Sequence, residues 1–143
     1  MSKPAVRICP VAPFLMKFII IFITSIISIQ VMAKQISELS WEKRILVISY
    51  EKQDDQIFIK TKKFISDYKC EIEDRNLEII FYNKFKSKVY SKPKFIDNKY
   101  GIWLIGYDGM IKYFSPDDKI FLRLFNLIDS MPMRKNEMKN DQC

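Results

Sequence analysis

The apolar positions of this chain fall into two rhythms from residue 44 onward. Arg44–Tyr50 reads RILVISY. A short continuous run rich in Ile and Val is the pattern of a strand buried on both faces. Asp54 and Asp55 follow, and carboxylates there cap a helix through its free amides and its dipole. Ile57, Phe58, Thr61, Phe64, Ile65 and Tyr68 recur at the spacing of one helix face. Lys60, Lys62, Lys63 and Asp67 take the wet side, and the helix is expected to run on to Cys70. Residues 77–82, LEIIFY, predict a second strand. With a helix between them, right-handed crossover makes the two strands parallel neighbours.

Residues 83–100 break the rhythm: the stretch is lysine-rich, holds one Pro and predicts no regular element. Residues 101–106, GIWLIG, predict a third strand, and Asp108-Gly109 between apolar runs is a hairpin signal. Residues 110–114 then form the returning fourth strand. Ser115-Pro116-Asp117-Asp118 reads as a helix start, with Ser as cap, Pro at the first position and acids in the first turn. Ile120, Phe121, Leu124, Leu127, Ile128 and Met131 make its core face, and Pro132 is expected to end it. Everything from Arg134 on is polar, with 139–143 as a tail. The order β-α-β-β-β-α predicts an α/β, thioredoxin-like fold: a central mixed four-stranded sheet with helices on its faces.

Upstream lies a different pattern. Residues 18–29, FIIIFITSIISI, form an apolar run preceded by Lys17 and followed by Val31-Met32-Ala33. About 20 apolar residues are needed to span a bilayer, so the run is short for an anchor. Basic start, apolar middle and small-residue site are the parts of a secretory signal. Residues 1–33 are therefore expected to be a signal peptide, its functional start at Met1 or Met16, followed by a domain over 34–138. Cleavage near Ala33 would leave the domain periplasmic or secreted. The rival reading is an uncleaved N-terminal anchor, with 11–15 extending the apolar run.

Composition narrows the chemistry. The chain has 48% hydrophobic and 29% charged residues, which is globular rather than disordered. It has no His and only three Gly. General-base chemistry and zinc ligation lose their commonest residue, and the scarcity of Gly argues against Gly-rich phosphate loops. Losing residues 1–33 removes Lys3, Arg7 and Lys17 and no acid, so the net charge falls from +7 to +4. That balance does not call for a nucleic-acid partner. Of the three cysteines, Cys9 goes with the leader; Cys70 and Cys143 remain and either pair in an oxidising compartment or stay as separate thiols. There is no Cys-x-x-Cys.

Three strings carry a resemblance: 39–44 (LSWEKR), 104–109 (LIGYDG) and 128–138 (IDSMPMRKNEM). Together they resemble an uncharacterised thioredoxin-like domain family of small exported bacterial proteins. The family is also found in sushi-repeat-containing and DRO1-like extracellular proteins. The resemblance spans about 36–138. It implies the fold and no settled activity, so it supplies no functional residues. Redox thioredoxins place a Cys pair between the first strand and its helix; here residues 51–55 are Glu-Lys-Gln-Asp-Asp. Thiol–disulfide exchange needs a thiolate, which this loop lacks. Gly101 also stands where redox members keep a Pro facing their cysteines.

Candidate binding residues are Asp54 and Asp55 at the helix start, and Arg44 and Arg134, whose planar forks suit an anionic ligand. Against this, acidic caps are routine solvated features, and the arginines can instead tie the C-terminal segment to the domain. Arg134 and Glu137 would form an i,i+3 pair if a helix resumes after Pro132. Lys84, Lys86, Lys88, Lys92, Lys94 and Lys99, interleaved with Phe85, Tyr90 and Phe95, suit an anionic surface. They equally suit an insertion whose aromatics pack down under lysine stems. Three function classes follow. The first is a non-enzymatic module binding a protein or envelope component. The second is a redox accessory or enzyme using Cys70 and Cys143, and the third an anionic-surface binder using the lysines. No catalytic residue, metal or cofactor is assigned. No nucleic acid is expected, and membrane contact is confined to export or weak surface contact.

Overall fold

The structure is a computed structural model that describes residues 33–138. The expected signal segment and the 139–143 tail, with Cys143, lie outside the described residues. After a 3-10 turn at Ile36–Leu39 come β1 (Arg44–Tyr50), α1 (Gln56–Asp67), α2 (Lys69–Asp74) and β2 (Leu77–Asn83). A second 3-10 turn, Lys94–Ile96, precedes β3 (Gly101–Ile105) and β4 (Ile111–Ser115). A third, Asp118–Leu122, leads into α3 (Leu124–Asp129) and α4 (Pro132–Glu137). The sheet order is β2-β1-β3-β4. β1 runs parallel to β2, Arg44 opposite Leu77, and antiparallel to β3, Ile45 opposite Ile105. This is an α/β arrangement compatible with a thioredoxin-like fold.

β1 is central, and every one of its residues is buried. Its two faces feed two cores. Leu46, Ile48 and Tyr50 face the helices, meeting Phe64, Ile72, Ile120, Leu124 and Ile128. Ile45 and Val47 face the other way, meeting Tyr82, Ile96, Trp103 and Ile105. That second face is closed by the N-terminal turn and the 83–100 segment, whose Phe85, Tyr90 and Phe95 pack inward. No helix covers it. The segment is stapled in place where the Tyr82 hydroxyl donates to the Ser91 carbonyl (2.9 Å).

Several expectations change. The first helix ends at Asp67, so Cys70 sits on the separate helix α2, beyond a break at Tyr68 (φ −124°). The fourth strand starts at Ile111, because Met110 belongs to the turn: Asp108 Oδ1 accepts from its amide, and Gly109 takes φ 72°. Ser115 closes β4 rather than capping a helix. The cap is Asp117, whose carboxylate accepts from the Lys119 amide. The predicted single C-terminal helix is split at Arg123 (φ −134°) into a 3-10 turn and α3. Ile120, Leu124 and Ile128 still reach the core across the split. Pro132 does not end a helix; it begins α4, where its missing N–H costs nothing. Arg134 is therefore not tail: it is buried.

Candidate functional site

The three family-like strings converge at the N-terminal end of β1. The structure brings Arg44 and Arg134 together there and leaves Asp54 and Asp55 at the opposite end of the strand, roughly 20 Å away at ~3.3 Å per residue. Asp55 is the α1 cap, accepting from the Ile57 amide (3.2 Å), and Asp54 is exposed. Cys70 is disulfide-bonded, its partner lying outside the described residues.

Arg44 points from β1 toward the helices and is fully buried. Its Nη1 donates to the Arg75 carbonyl (2.8 Å) and to Glu137 Oε2 (3.0 Å), and its Nη2 donates to Glu137 Oε1 (3.1 Å). This is the two-pronged pairing that suits guanidinium to carboxylate. Its guanidinium lies 4.1 Å from the centre of the Tyr107 ring, a cation–π contact. Arg134, from α4, donates through Nη2 to the Asp74 carboxylate, through Nη1 to the Asp74 carbonyl (3.1 Å) and through Nε to Asp129 (3.3 Å). Arg75 adds a two-pronged pair to Asp129, at 3.0 and 2.7 Å. Three arginines thus interleave with three carboxylates from α2, α3 and α4.

The cluster joins the ends of four elements. Arg75 follows α2, Asp129 ends α3, Glu137 ends α4, and Arg44 opens β1. Burying such charge is tolerated only when it is paired and hydrogen-bonded. One atom is left over: Arg44 Nε is buried with no hydrogen-bond partner among the described residues. Arg44, Arg134 and Glu137 were legible in the sequence as possible ties, and Asp129 stood in the 128–138 string without a role; Asp74 and Arg75 carried no signal. Asp74 ends α2 and Arg75 follows it, and no local pattern marks them as part of a distant cluster.

Above Arg44 opens a cavity of about 260 Å³. Trp41, Tyr107, Met131, Pro132 and Met133 supply its apolar wall, and Arg44 with Lys112 and Asp108 its polar side. Lys112 and Asp108 satisfy each other (2.5 Å). Trp41 is 70% exposed and holds φ 69°, a conformation rarely taken by a bulky residue. Its amide donates to the Tyr107 carbonyl (2.6 Å), which ties its backbone to the residue across the cavity. In the sequence Trp41 stands within the 39–44 string as an aromatic in a polar stretch, with no binding role assigned to it. A second cavity, about 390 Å³, lies at the C-terminal ends of β1 and β2, lined by Tyr50, Gln53, Phe81, Asn83, Lys86 and Lys88. Among the described residues no group of acids and cysteines is placed to hold a metal ion.

The family model for a domain of unknown function, DUF4174, matches residues 35–137. No curated protein and no solved structure matches the chain.

Proposed function

This chain belongs to the DUF4174 family of domains of unknown function, and from that premise we propose that it is an exported, thioredoxin-like binding module that performs no thiol chemistry. Its partner is a protein of the cell envelope, which seats an apolar side chain in the cavity beside Trp41. Export rests on the signal-like segment that ends at Ala33. The bonded state of Cys70 fits that address, because disulfides persist outside the reducing cytosol.

The observation that carries the binding reading is Trp41: a large aromatic side chain, exposed, held in a strained backbone and set against Met131, Pro132 and Met133. Exposed aromatics beside adaptable methionines are what interface anchors are made of. The ionic cluster beneath makes the cavity floor rigid, so a partner would meet a preformed shape. The loop at 51–55 offers no thiol, which leaves the thioredoxin-like end without its usual chemistry.

A photoreactive side chain at Met133 tests this in envelope preparations. It should yield one dominant crosslinked protein, and Trp41→Ala should lose that product with no change in melting behaviour. Equal crosslinking by Trp41→Ala, or catalysed reduction of a disulfide substrate by the purified protein, overturns the proposal.

A further inference from the structure

The positive charge of this domain is concentrated in one place. Residues 83–100 hold six lysines against Asp97 alone, a net +5, whereas residues 33–138 as a whole carry +4. The rest of the domain is close to neutral. All six lysines are exposed. Asp97 is taken by Lys92 (2.5 Å). Lys34, also exposed, joins the edge of the segment, its amide donating to the Val89 carbonyl (3.1 Å).

The aromatics decide what such a surface can bind. Phe85, Tyr90 and Phe95 pack against the sheet, and Phe85 is further stacked on Tyr100 (4.8 Å). They are not offered as platforms for stacking bases, which is how basic grooves hold single-stranded nucleic acid. What remains on the outside is lysine around an exposed aliphatic, Val89, which is 57% accessible, with Tyr100, 37% accessible and stacked on Phe85, at the end of the segment. Lysines around one projecting apolar residue match a surface with anionic headgroups and an oily layer beneath. Acids also stand beside Tyr100 at the end of the segment: desolvation, then Glu51 and Asp55, hold its hydroxyl above its ordinary range.

We propose that the 83–100 segment is a membrane-docking face, which lays Lys86, Lys88, Lys92 and Lys94 on anionic phospholipid headgroups with Val89 dipping beneath them. The segment runs from the cavity at the C-terminal ends of β1 and β2, which Lys86 and Lys88 line, to the N-terminal turn, beside which Lys92 and Lys94 lie. It does not depend on the Trp41 cavity, so failure of one reading leaves the other standing.

Flotation with vesicles tests it, using protein recovered from the periplasm of an expression host. Phosphatidylglycerol-containing vesicles should retain the protein at low salt and release it at high salt. Neutral phosphatidylcholine vesicles should not retain it. Lys86→Glu/Lys88→Glu/Lys92→Glu should weaken retention by about a hundredfold or more, from roughly fivefold per lysine near such a surface. Lys63→Glu/Lys69→Glu/Lys135→Glu makes the same change in net charge elsewhere and should retain most of the binding. Val89→Asp should weaken binding with an unchanged circular dichroism spectrum. All variants share one N-terminus, so the contrast between the two triples reads the lysine face alone. The proposal is overturned by equal losses in both triples, by equal binding to neutral vesicles, or by binding to a soluble polyanion but not to vesicles.

Discussion

Arg44 shows how one side chain can be both a stabilising tie and a liability. Its guanidinium is buried at the base of β1, and Glu137, half-buried on α4, neutralises it through two hydrogen bonds. Glu137→Ala would leave that charge unpaired and should cost about 2–3 kcal/mol of stability in urea unfolding. Arg44→Met/Glu137→Met should recover part of the loss, because an apolar pair does not have to be desolvated as ions. No recovery in the double variant would show that Arg44 acts mainly through the Arg75 carbonyl and Tyr107. Gly101 is the other sensitive residue. It holds φ 143°, and a Cβ there would lie 2.6 Å from the Ser115 carbonyl oxygen and 2.8 Å from the Phe114 ring. Gly101→Ala should therefore destabilise by about 3 kcal/mol, read as a lowered urea midpoint.

At the scale of elements, the turns and caps are electrostatic devices with a pH signature. Asp108 is held below its ordinary value of 3.8 chiefly by the hydrogen bond from Lys112. Asp117 is held below it chiefly by the Lys119 amide that it caps. Both are lowered on folding, so their contribution is fully present above the ordinary value and is lost as pH falls through the folded one. Melting temperature should hold steady near neutrality and drop below about pH 4. Asp117→Asn keeps an acceptor for the cap but does not titrate, so it should flatten that acid limb. An unchanged limb in Asp117→Asn/Asp108→Asn would assign it to other carboxylates. Lys43 has the opposite sign: its hydrogen bond to Glu78 raises its pKa above 10.5. Its contribution is present below that value and lost as pH rises through the folded one.

For the molecule as a whole, the disulfide at Cys70 and the C-terminal clamp act at neighbouring places. Cys70 lies on α2, the helix that ends at Asp74, the residue gripped by Arg134. Reductant should lower the melting temperature, and Cys70→Ser should reproduce that drop and abolish the effect of reductant. The effect should be on the order of 2 kcal/mol. A melting curve insensitive to reductant would remove any stabilising role for the bond. The same scale separates two surfaces. Trp41 and its cavity lie at the N-terminal end of β1, whereas the lysines lie along the 83–100 segment.

Local pattern determined a good deal. RILVISY marks β1 residue for residue, because a strand buried on both faces must be apolar almost throughout. Asp55 marks the start of α1, because capping is a contact between near neighbours in sequence. The parallel pairing of β1 with β2 follows from the intervening helix. Where local signals compete, tertiary packing chose: Pro132 suits either the end of one helix or the start of the next. The burial of Arg134 against Asp74 and Asp129 favours the start. The ionic cluster itself was half-visible. Arg44, Asp129, Arg134 and Glu137 lay in family-like strings, but Asp74 and Arg75 come from a segment 31 to 60 residues away from their partners Arg44, Asp129 and Arg134. Burial compels those charges to pair, and only the folded chain decides which oppositely charged groups lie within reach.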